Sequence, residues 1–314
     1  MIGFSLLKNS IQFVELVEQE QTYQIRKLEC RKLPIPLTLK AFSDSEQLNA
    51  LSEFSKELVT SAQLSGEVSI AVDNSLTLIK KMPVDANIGS QDLEKQILWE
   101  CQQFVPAASL ADYRYIYQKL IHASEDNVDY LLLVVFRQQL LEGIKQLLEK
   151  LGLSLSQVEV DWLALIRAGN CFYELDKKRL VCLANIGADV IQLLFLQYGE
   201  YYFSHRVSLQ ESEETSELSA WDSPENLARL LQKEIRRVLM ENRFDIENQP
   251  IEDLYLFGER AESEIIDFLR NETALHVDIM LPQEKLEVTE EVKNSPAYTQ
   301  FSQECLYCIG TALP

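Results

Sequence analysis

One order of hydrophobic patterns runs through these 314 residues twice, and it constrains the fold more than any other feature. In the first copy Ile11 to Glu18 alternates apolar and polar residues, and Thr22 to Leu28 continues the alternation after a short polar turn. That is the pattern of paired, half-buried strands. Glu46 to Leu64 then places Leu48, Leu51, Phe54, Leu58 and Val59 at helical spacing. Val68 to Val72 reads as a buried strand, with Leu76 to Lys80 as the next. In the second copy Leu180 to Asp189 is a strand running into a glycine turn, followed by strands at Val190 to Gln197 and Tyr201 to Ser208. Ser223 and Pro224 open a helix whose apolar face is Leu227, Leu230, Leu231, Ile235, Val238 and Leu239. Leu254 to Gly258 is again a strand, and Glu262 to Arg270 a helix. Two such blocks predict an α/β chain of two lobes, with Thr299 to Leu313 left over as a closing apolar helix.

Between the two copies the pattern changes. Gln91 to Phe104 carries Leu93, Ile97, Leu98, Cys101 and Phe104 on one side of a helix that Pro106 stops. Asp112 to Ile121 alternates as a strand, and Asp129 to Phe136 is apolar on both faces. Leu140 to Leu151 is a helix ended at Gly152. The Met82-Pro83 step and these elements predict a compact αββα insert over residues 84–155.

Asp and Glu number 49 against 29 Lys and Arg, a formal charge of −20, which excludes general affinity for nucleic acid or anionic lipid. The run Gln210 to Asp222 holds Glu211, Glu213, Glu214, Glu217 and Asp222 with no base, and reads as a solvated acidic loop. No apolar stretch approaches the roughly 18 residues of a membrane helix. The N-terminus has no basic stretch before an apolar core, so a cytoplasmic chain is expected. Cys305 and Cys308 form a C-x-x-C with no second ligand pair at zinc spacing, and read as small packing residues on one helix face. His122, His205 and His276 stand far apart, so no metal site is expected.

Four stretches carry a family resemblance. Lys80-Lys81-Met82-Pro83 is followed by Asp92-Leu93-Glu94, Ile97-Leu98-Trp99-Glu100 and Phe104-Val105-Pro106. Gly152-Leu153 precedes Val158-Glu159-Val160-Asp161-Trp162-Leu163-Ala164-Leu165. Glu234-Ile235-Arg236-Arg237 and the closing Ile309-Gly310-Thr311-Ala312-Leu313 complete the set. In order and spacing the chain resembles the type IV pilus assembly protein PilM family, part of the actin, Hsp70 and sugar-kinase superfamily. The shortened motifs also fit the variant of the mannose-sensitive haemagglutinin pilus. The resemblance implies an actin-like two-lobe fold. Its first lobe would comprise residues 1–83, 156–179 and 296–314, its inserted αββα subdomain residues 84–155, and its second lobe residues 180–295 with the acidic loop at 210–222.

Superfamily members bind ATP, and the resemblance implies a nucleotide-facing set of Lys8, Asn9, Ser10, Asn185, Gly187, Ala188, Glu234, Arg237 and Gly258. The sequence departs from the family there. Where the family's first phosphate turn has an acid and a glycine, this chain has Ser5 and Leu7, and where the second has an acid it has Asn185. Phosphate turns need close backbone approach, and nucleotide-bound magnesium is normally held through carboxylates. Glu259 replaces the second glycine of the adenosine-side pair. The reading is therefore a pseudo-ATPase: not an enzyme, with no cofactor required, no ATP hydrolysis, and weak or absent Mg-ATP binding.

For function the resemblance implies a structural adaptor of a pilus assembly complex, held at the inner face of the bacterial inner membrane. It would bind the extended N-terminal cytoplasmic peptide of a PilN-like bitopic partner in a groove between the first lobe and the insert. Trp99, Phe104, Tyr113 and Tyr115 are the candidate anchors, and the pilus assembly ATPase stands as a further partner. The alternatives on the same fold are an active nucleotide-binding ATPase or sugar kinase, which needs the acids that Ser5 and Asn185 replace, and the cytoplasmic actin-like domain of a type II secretion protein, which would continue into a membrane helix.

Overall fold

The computed structural model describes residues 1–19, 22–105, 107–125, 127–209, 223–242, 244, 251–273, 275–300 and 305–314. The acidic run 210–222 lies outside them. The chain divides into two compact units, residues 1–168 with 282–314, and residues 169–281.

The first unit opens with β1 (Ile2–Leu6), β2 (Ser10–Gln19) and β3 (Thr22–Lys32), then α1 (Lys40–Ser43), α2 (Ser45–Ser61) and β4 (Gly66–Val72). Asp44 caps α2 by accepting the amides of Glu46 and Gln47. The expected helical stripe buries Leu48, Leu51, Leu58 and Val59. β5 (Leu78–Asp85), α3 (Ser90–Phe104), β6 (Tyr113–Glu125) and β7 (Val128–Arg137) follow, then α4 (Gln138–Leu151), β8 (Leu153–Val160) and α5 (Asp161–Tyr173). Its main sheet has the order β3-β2-β1-β4-β8, antiparallel across β3, β2 and β1 and parallel across β1, β4 and β8.

The second unit repeats that topology. β9 (Val181–Ile186), β10 (Val190–Gln197) and β11 (Glu200–Ser208) form an antiparallel meander. After α6 (Pro224–Glu241) come β12 (Asp253–Phe257), α7 (Ser263–Glu272) and β13 (His276–Ile279). The sheet order is β11-β10-β9-β12-β13, with β9, β12 and β13 parallel. The second and third strands of each meander also share a register shift, at Glu15/Leu16 in one and Phe195/Leu196 in the other. The repeated order read from the sequence is thus a repeated strand topology, and in each unit the central strand is almost wholly buried.

The chain closes with β14 (Glu287–Val288), α8 (Glu290–Lys293), α9 (Pro296–Gln300) and α10 (Leu306–Ala312). β14 pairs with β3, so residues assigned from the sequence to the second lobe extend the first unit's sheet instead. Residues 169–179 fall with the second unit, whereas the resemblance implies a start at 180. The single closing helix expected over Thr299 to Leu313 is two helices, with residues 301–304 outside the described set.

The insert also differs from the αββα reading. β5 runs through Met82-Pro83 and forms a three-stranded sheet of order β5-β7-β6. Pro83 falls on an edge strand, where proline is tolerated in sheets. Helix α3 covers one face, closing a small core of Met82, Val84, Ile97, Cys101, Leu131, Leu133 and Val135. Helix α4 packs mainly against α1, α2 and β8. A Cβ on Gly143 would stand 2.6 Å from both Cβ and the carbonyl oxygen of Phe42, so α4 meets α1 backbone-close at that point. The inserted block is therefore β-α-β-β, residues 78–137. A helical stripe announces that α4 buries one face, and the stripe is the same whichever sheet receives it.

Helix α10 is buried along its whole length. A Cβ on Gly3 would lie 2.1 Å from the Cys308 carbonyl oxygen, and one on Gly310 would lie 1.9 Å from that of Ala164. Glycine lets α10 pass between β1 and α5. Cys305 and Cys308 are buried there, the Cys308 thiol donating to the Cys305 carbonyl at 3.1 Å, in keeping with the packing role read from the sequence.

Candidate functional site

In the first unit Lys8, Asn9 and Ser10, which the resemblance implies face a phosphate, follow the carboxyl end of β1, whose neighbours β4 and then β8 run parallel to it. Leu7 donates its N–H to the Ser10 carbonyl at 3.0 Å, closing a tight hairpin over Lys8 and Asn9. Neither of these residues adopts a positive φ, so the turn forms without a glycine. The Lys8 N–H donates to Asp73 Oδ2 at 2.8 Å. The Lys8 and Asn9 carbonyls accept the amides of Leu37 and Leu33, at 2.6 and 2.8 Å. Asp73 directly follows β4; its N–H donates to the Leu6 carbonyl at 2.9 Å, and its Oδ1 accepts the amide and hydroxyl of Ser75. Lys8 and Asn9 are exposed and Ser10 is buried.

Beneath the turn, Ser5 and Gln12 face each other across the hairpin, both wholly buried. Among the described residues Ser5 Oγ and Gln12 Oε1 have no hydrogen-bond partner. At the end of β8, Asp161 starts α5 and is also buried. Its carboxylate accepts Asn74 Nδ2 at 2.9 Å and the Trp162 N–H at 2.7 Å. Burial, and then the nearby Asp73 charge, push its pKa well above the ordinary carboxylate value. Lys8 thus bonds to Asp73, and Asn74, the next residue along the chain, bonds to Asp161. Sequence reasoning quoted Asp161 only within a family stretch and did not single out Asp73. The signal for Asp73 is Val72-Asp73-Asn74-Ser75, an acid at the end of a buried strand ready to cap the short 3₁₀ turn that follows.

In the second unit Asn185 and Gly258 lie together at the carboxyl ends of β9 and β12. Gly258 has φ +100°, and a Cβ there would sit 2.3 Å from Asn185 Oδ1 and 2.9 Å from the Ile186 carbonyl oxygen. The Gly187 N–H donates to the Val190 carbonyl at 3.0 Å, Ala188 is exposed, and the Ile186 carbonyl accepts the Arg260 amide. Glu234 and Arg237, read as approaching a ribose, hold each other. Arg237 donates to Glu234 Oε2 at 2.5 and 3.0 Å and to Glu241 at 3.0 Å, while its Nη2 lies 3.0 Å from His205 Nε2. Glu234 is buried, so its charge is neutralised within the unit.

Position 5 is a buried serine and position 185 an asparagine, so neither supplies a carboxylate for magnesium. The Lys8 amide of the β1–β2 turn already serves a carboxylate of the chain. Among the described residues no three His, Cys, Asp or Glu side chains converge as a metal site.

The insert presents a different chemistry. Tyr113 and Tyr115 are half-buried against the cluster under α3. Trp99 and Phe104 are exposed at 56% and 49%, with Lys80 Nζ 4.8 Å from the Phe104 ring centroid. Tyr117, on the same strand as the tyrosines that the sequence offers for partner binding, is exposed at 49%; sequence reasoning missed Ile116 and Ile121 on β6, which are exposed at 51% and 71%. Pairing puts Ile116 opposite Val134 and Arg114 opposite Phe136, on the sheet face away from α3, while Tyr117 faces Leu133 on the α3 side. β6 is an edge strand with no proline from Tyr113 to Leu120, whereas the opposite edge, β5, carries Pro83.

Residues 3–218 match the family model of the type IV pilus assembly protein PilM. Among solved structures, a PilM-PilN type IV pilus biogenesis complex superposes with a TM-score of 0.72 at 19% identity, over 100% of this chain and 98% of that one. A Bacteroides thetaiotaomicron protein with an actin-like ATPase fold and unknown function matches with a TM-score of 0.47 at 14% identity, over 90% of each chain. The cytoplasmic domain of EpsL, an inner-membrane component of the Vibrio cholerae type II secretion system, matches at 0.43 and 12% identity, over 88% of this chain and 96% of that one. No curated protein sequence matches.

Proposed function

The chain belongs to the type IV pilus assembly protein PilM family, with its actin-like fold, and on that premise we propose that it is an adaptor that binds the N-terminal cytoplasmic peptide of a PilN-like inner-membrane protein and does not turn over ATP. The observation that carries this reading is where the exposed apolar side chains lie. Among the described residues, five of the eight large ones at the surface, Trp99, Phe104, Ile116, Tyr117 and Ile121, belong to α3 and β6 of the insert. An extended peptide beside them gains main-chain hydrogen bonds as well as side-chain contacts. The opposite half of the reading rests on Ser5, Asn185 and the occupied Lys8 amide, which leave nucleotide phosphates and magnesium poorly served.

Membrane association comes through the partner. No helix among the described residues is long and apolar enough to cross a bilayer, and a charge of −20 is repelled by an anionic leaflet. The test is calorimetry of the full chain with a synthetic peptide of the PilN-like partner's N-terminus. Ile116→Ala or Trp99→Ala is expected to weaken binding at least roughly tenfold, the loss of one interface anchor. Unchanged affinity in both variants, or sedimentation with membranes that persists when every bitopic pilus partner is deleted, overturns the adaptor reading. Micromolar Mg-ATP affinity or steady ATP hydrolysis overturns the pseudo-ATPase reading.

A further inference from the structure

The amide at the tip of the β1–β2 turn is already bound to an anion, and that anion is part of the chain. Asp73 is 8% exposed, and its two carboxylate oxygens are shared out: Oδ2 accepts the Lys8 N–H at 2.8 Å, and Oδ1 accepts the Ser75 N–H at 2.9 Å and the Ser75 hydroxyl at 2.5 Å. Both ends of this contact are held in place. The Asp73 amide is fixed on the Leu6 carbonyl at 2.9 Å, and the Lys8 carbonyl is fixed by the Leu37 amide at 2.6 Å. The carboxylate therefore does not wander into the turn as a loose side chain does. It is presented there by β4 on one side and received by a braced hairpin on the other.

We propose that Asp73 is a built-in substitute for phosphate, filling the anion position of the β1–β2 turn and keeping phosphate, free or at the end of a nucleotide, from binding there. A carboxylate accepting a backbone N–H makes the same charge-assisted contact that a phosphate oxygen makes with a glycine-rich turn. Two anions cannot share that donor, and Coulomb repulsion at about 4 Å near a protein surface disfavours the second by well over roughly tenfold. The exposed ammonium of Lys8 would serve an incoming phosphate as a point charge once the carboxylate is gone. Only the identification of this hairpin as a phosphate turn is borrowed from the preceding reading.

Asp73→Asn and Asp73→Ser test it, since both remove the charge and keep a side-chain oxygen to cap the turn at Ser75. The Lys8 amide of the full chain is followed by ¹H–¹⁵N correlation spectroscopy during titration with inorganic phosphate. In the native chain the Lys8 amide should be protected from hydrogen exchange and indifferent to phosphate. In either folded variant it should shift on titration, with an affinity at least roughly tenfold above the native chain's. A native Lys8 amide that exchanges as freely as an open turn overturns the proposal without recourse to any variant. So does a native chain that binds phosphate as well as the variants, or folded variants that ignore it. A chain that takes up the partner peptide while both variants ignore phosphate refutes the substitute and leaves the adaptor reading standing. The reverse pair of results refutes the adaptor alone.

Discussion

Arg167→Met is expected to loosen the first unit and release its closing helix. Arg167 donates twice to Glu159, from Nη1 to Oε1 at 2.9 Å and from Nη2 to Oε2 at 2.6 Å, and Nη1 also donates to the Gly310 carbonyl at 2.8 Å. One guanidinium thus joins β8, α5 and α10. The Glu159 side chain is 8% exposed, so removing its partner strands a buried carboxylate, which costs about 3–5 kcal/mol. For a unit of this size each kcal/mol lowers Tm by roughly 2–4 °C, so a fall of roughly 6–20 °C is expected near neutral pH. The pH dependence has a definite sign. Burial already raises the Glu159 pKa above its ordinary 4.5 against the opposing pull of Arg167, and loss of Arg167 raises it further. A carboxyl raised in the folded state adds stability below its unfolded pKa and loses that contribution as pH rises through its folded pKa. The deficit is therefore largest at neutral and alkaline pH and shrinks on acidification, by at most about 1.4 kcal/mol per pH unit. Differential scanning fluorimetry from pH 5 to 8 reads this directly. Thiol labelling supplies a second readout, since Cys305 and Cys308 are buried with α10 while Cys171 is exposed. Native protein should label quickly at Cys171, and the variant additionally at the two cysteines of α10. A Tm change below about 2 °C, or a larger one with no pH dependence, would refute the reasoning, as would a Glu159→Gln/Arg167→Met double variant no more stable than Arg167→Met.

Three further outcomes are expected. Gly310→Ala forces α10 away from the Ala164 carbonyl and should cost at least about 1–3 kcal/mol by overpacking, read as a lower urea midpoint for the first unit. Gly258→Ala combines a φ of +100° with a clash at Asn185 and the Ile186 backbone; a loss of about 1–3 kcal/mol is expected, seen as earlier proteolysis within residues 169–281. Trp99→Ala, on the exposed face of α3, should leave Tm within about 2 °C while altering partner binding, which calorimetry and fluorimetry on one sample separate.

Periodicity determined a good part of this protein unaided. The alternating runs became β2, β3, β10 and β11; the helical stripes became α2, α3, α4, α6 and α7, with ends near their Ser223 and Gly152 caps. The repeat of that order is the repeat of the strand topology. That positions 5, 7 and 185 hold serine, leucine and asparagine, with neither a carboxylate nor a glycine, was legible too, because residue type is a fact of the sequence. Only the tertiary structure decided what each buried face is buried against. The stripe of Leu140, Ile144 and Leu147 does not say that α4 belongs with α1 and α2 instead of the insert sheet; that turns on Gly143 meeting Phe42. Two residues at 287 and 288 are too few to show periodicity, so only pairing with β3 makes them a strand of the first unit. Asp73 is 65 residues from Lys8, and Asp161 is 87 residues from Asn74. Whether a carboxylate meets solvent, a cation or a backbone amide depends on which strand ends the sheet order sets side by side. Period measures how often a residue faces inward, and the sheet order, which lies in contacts between distant segments, sets what it finds there.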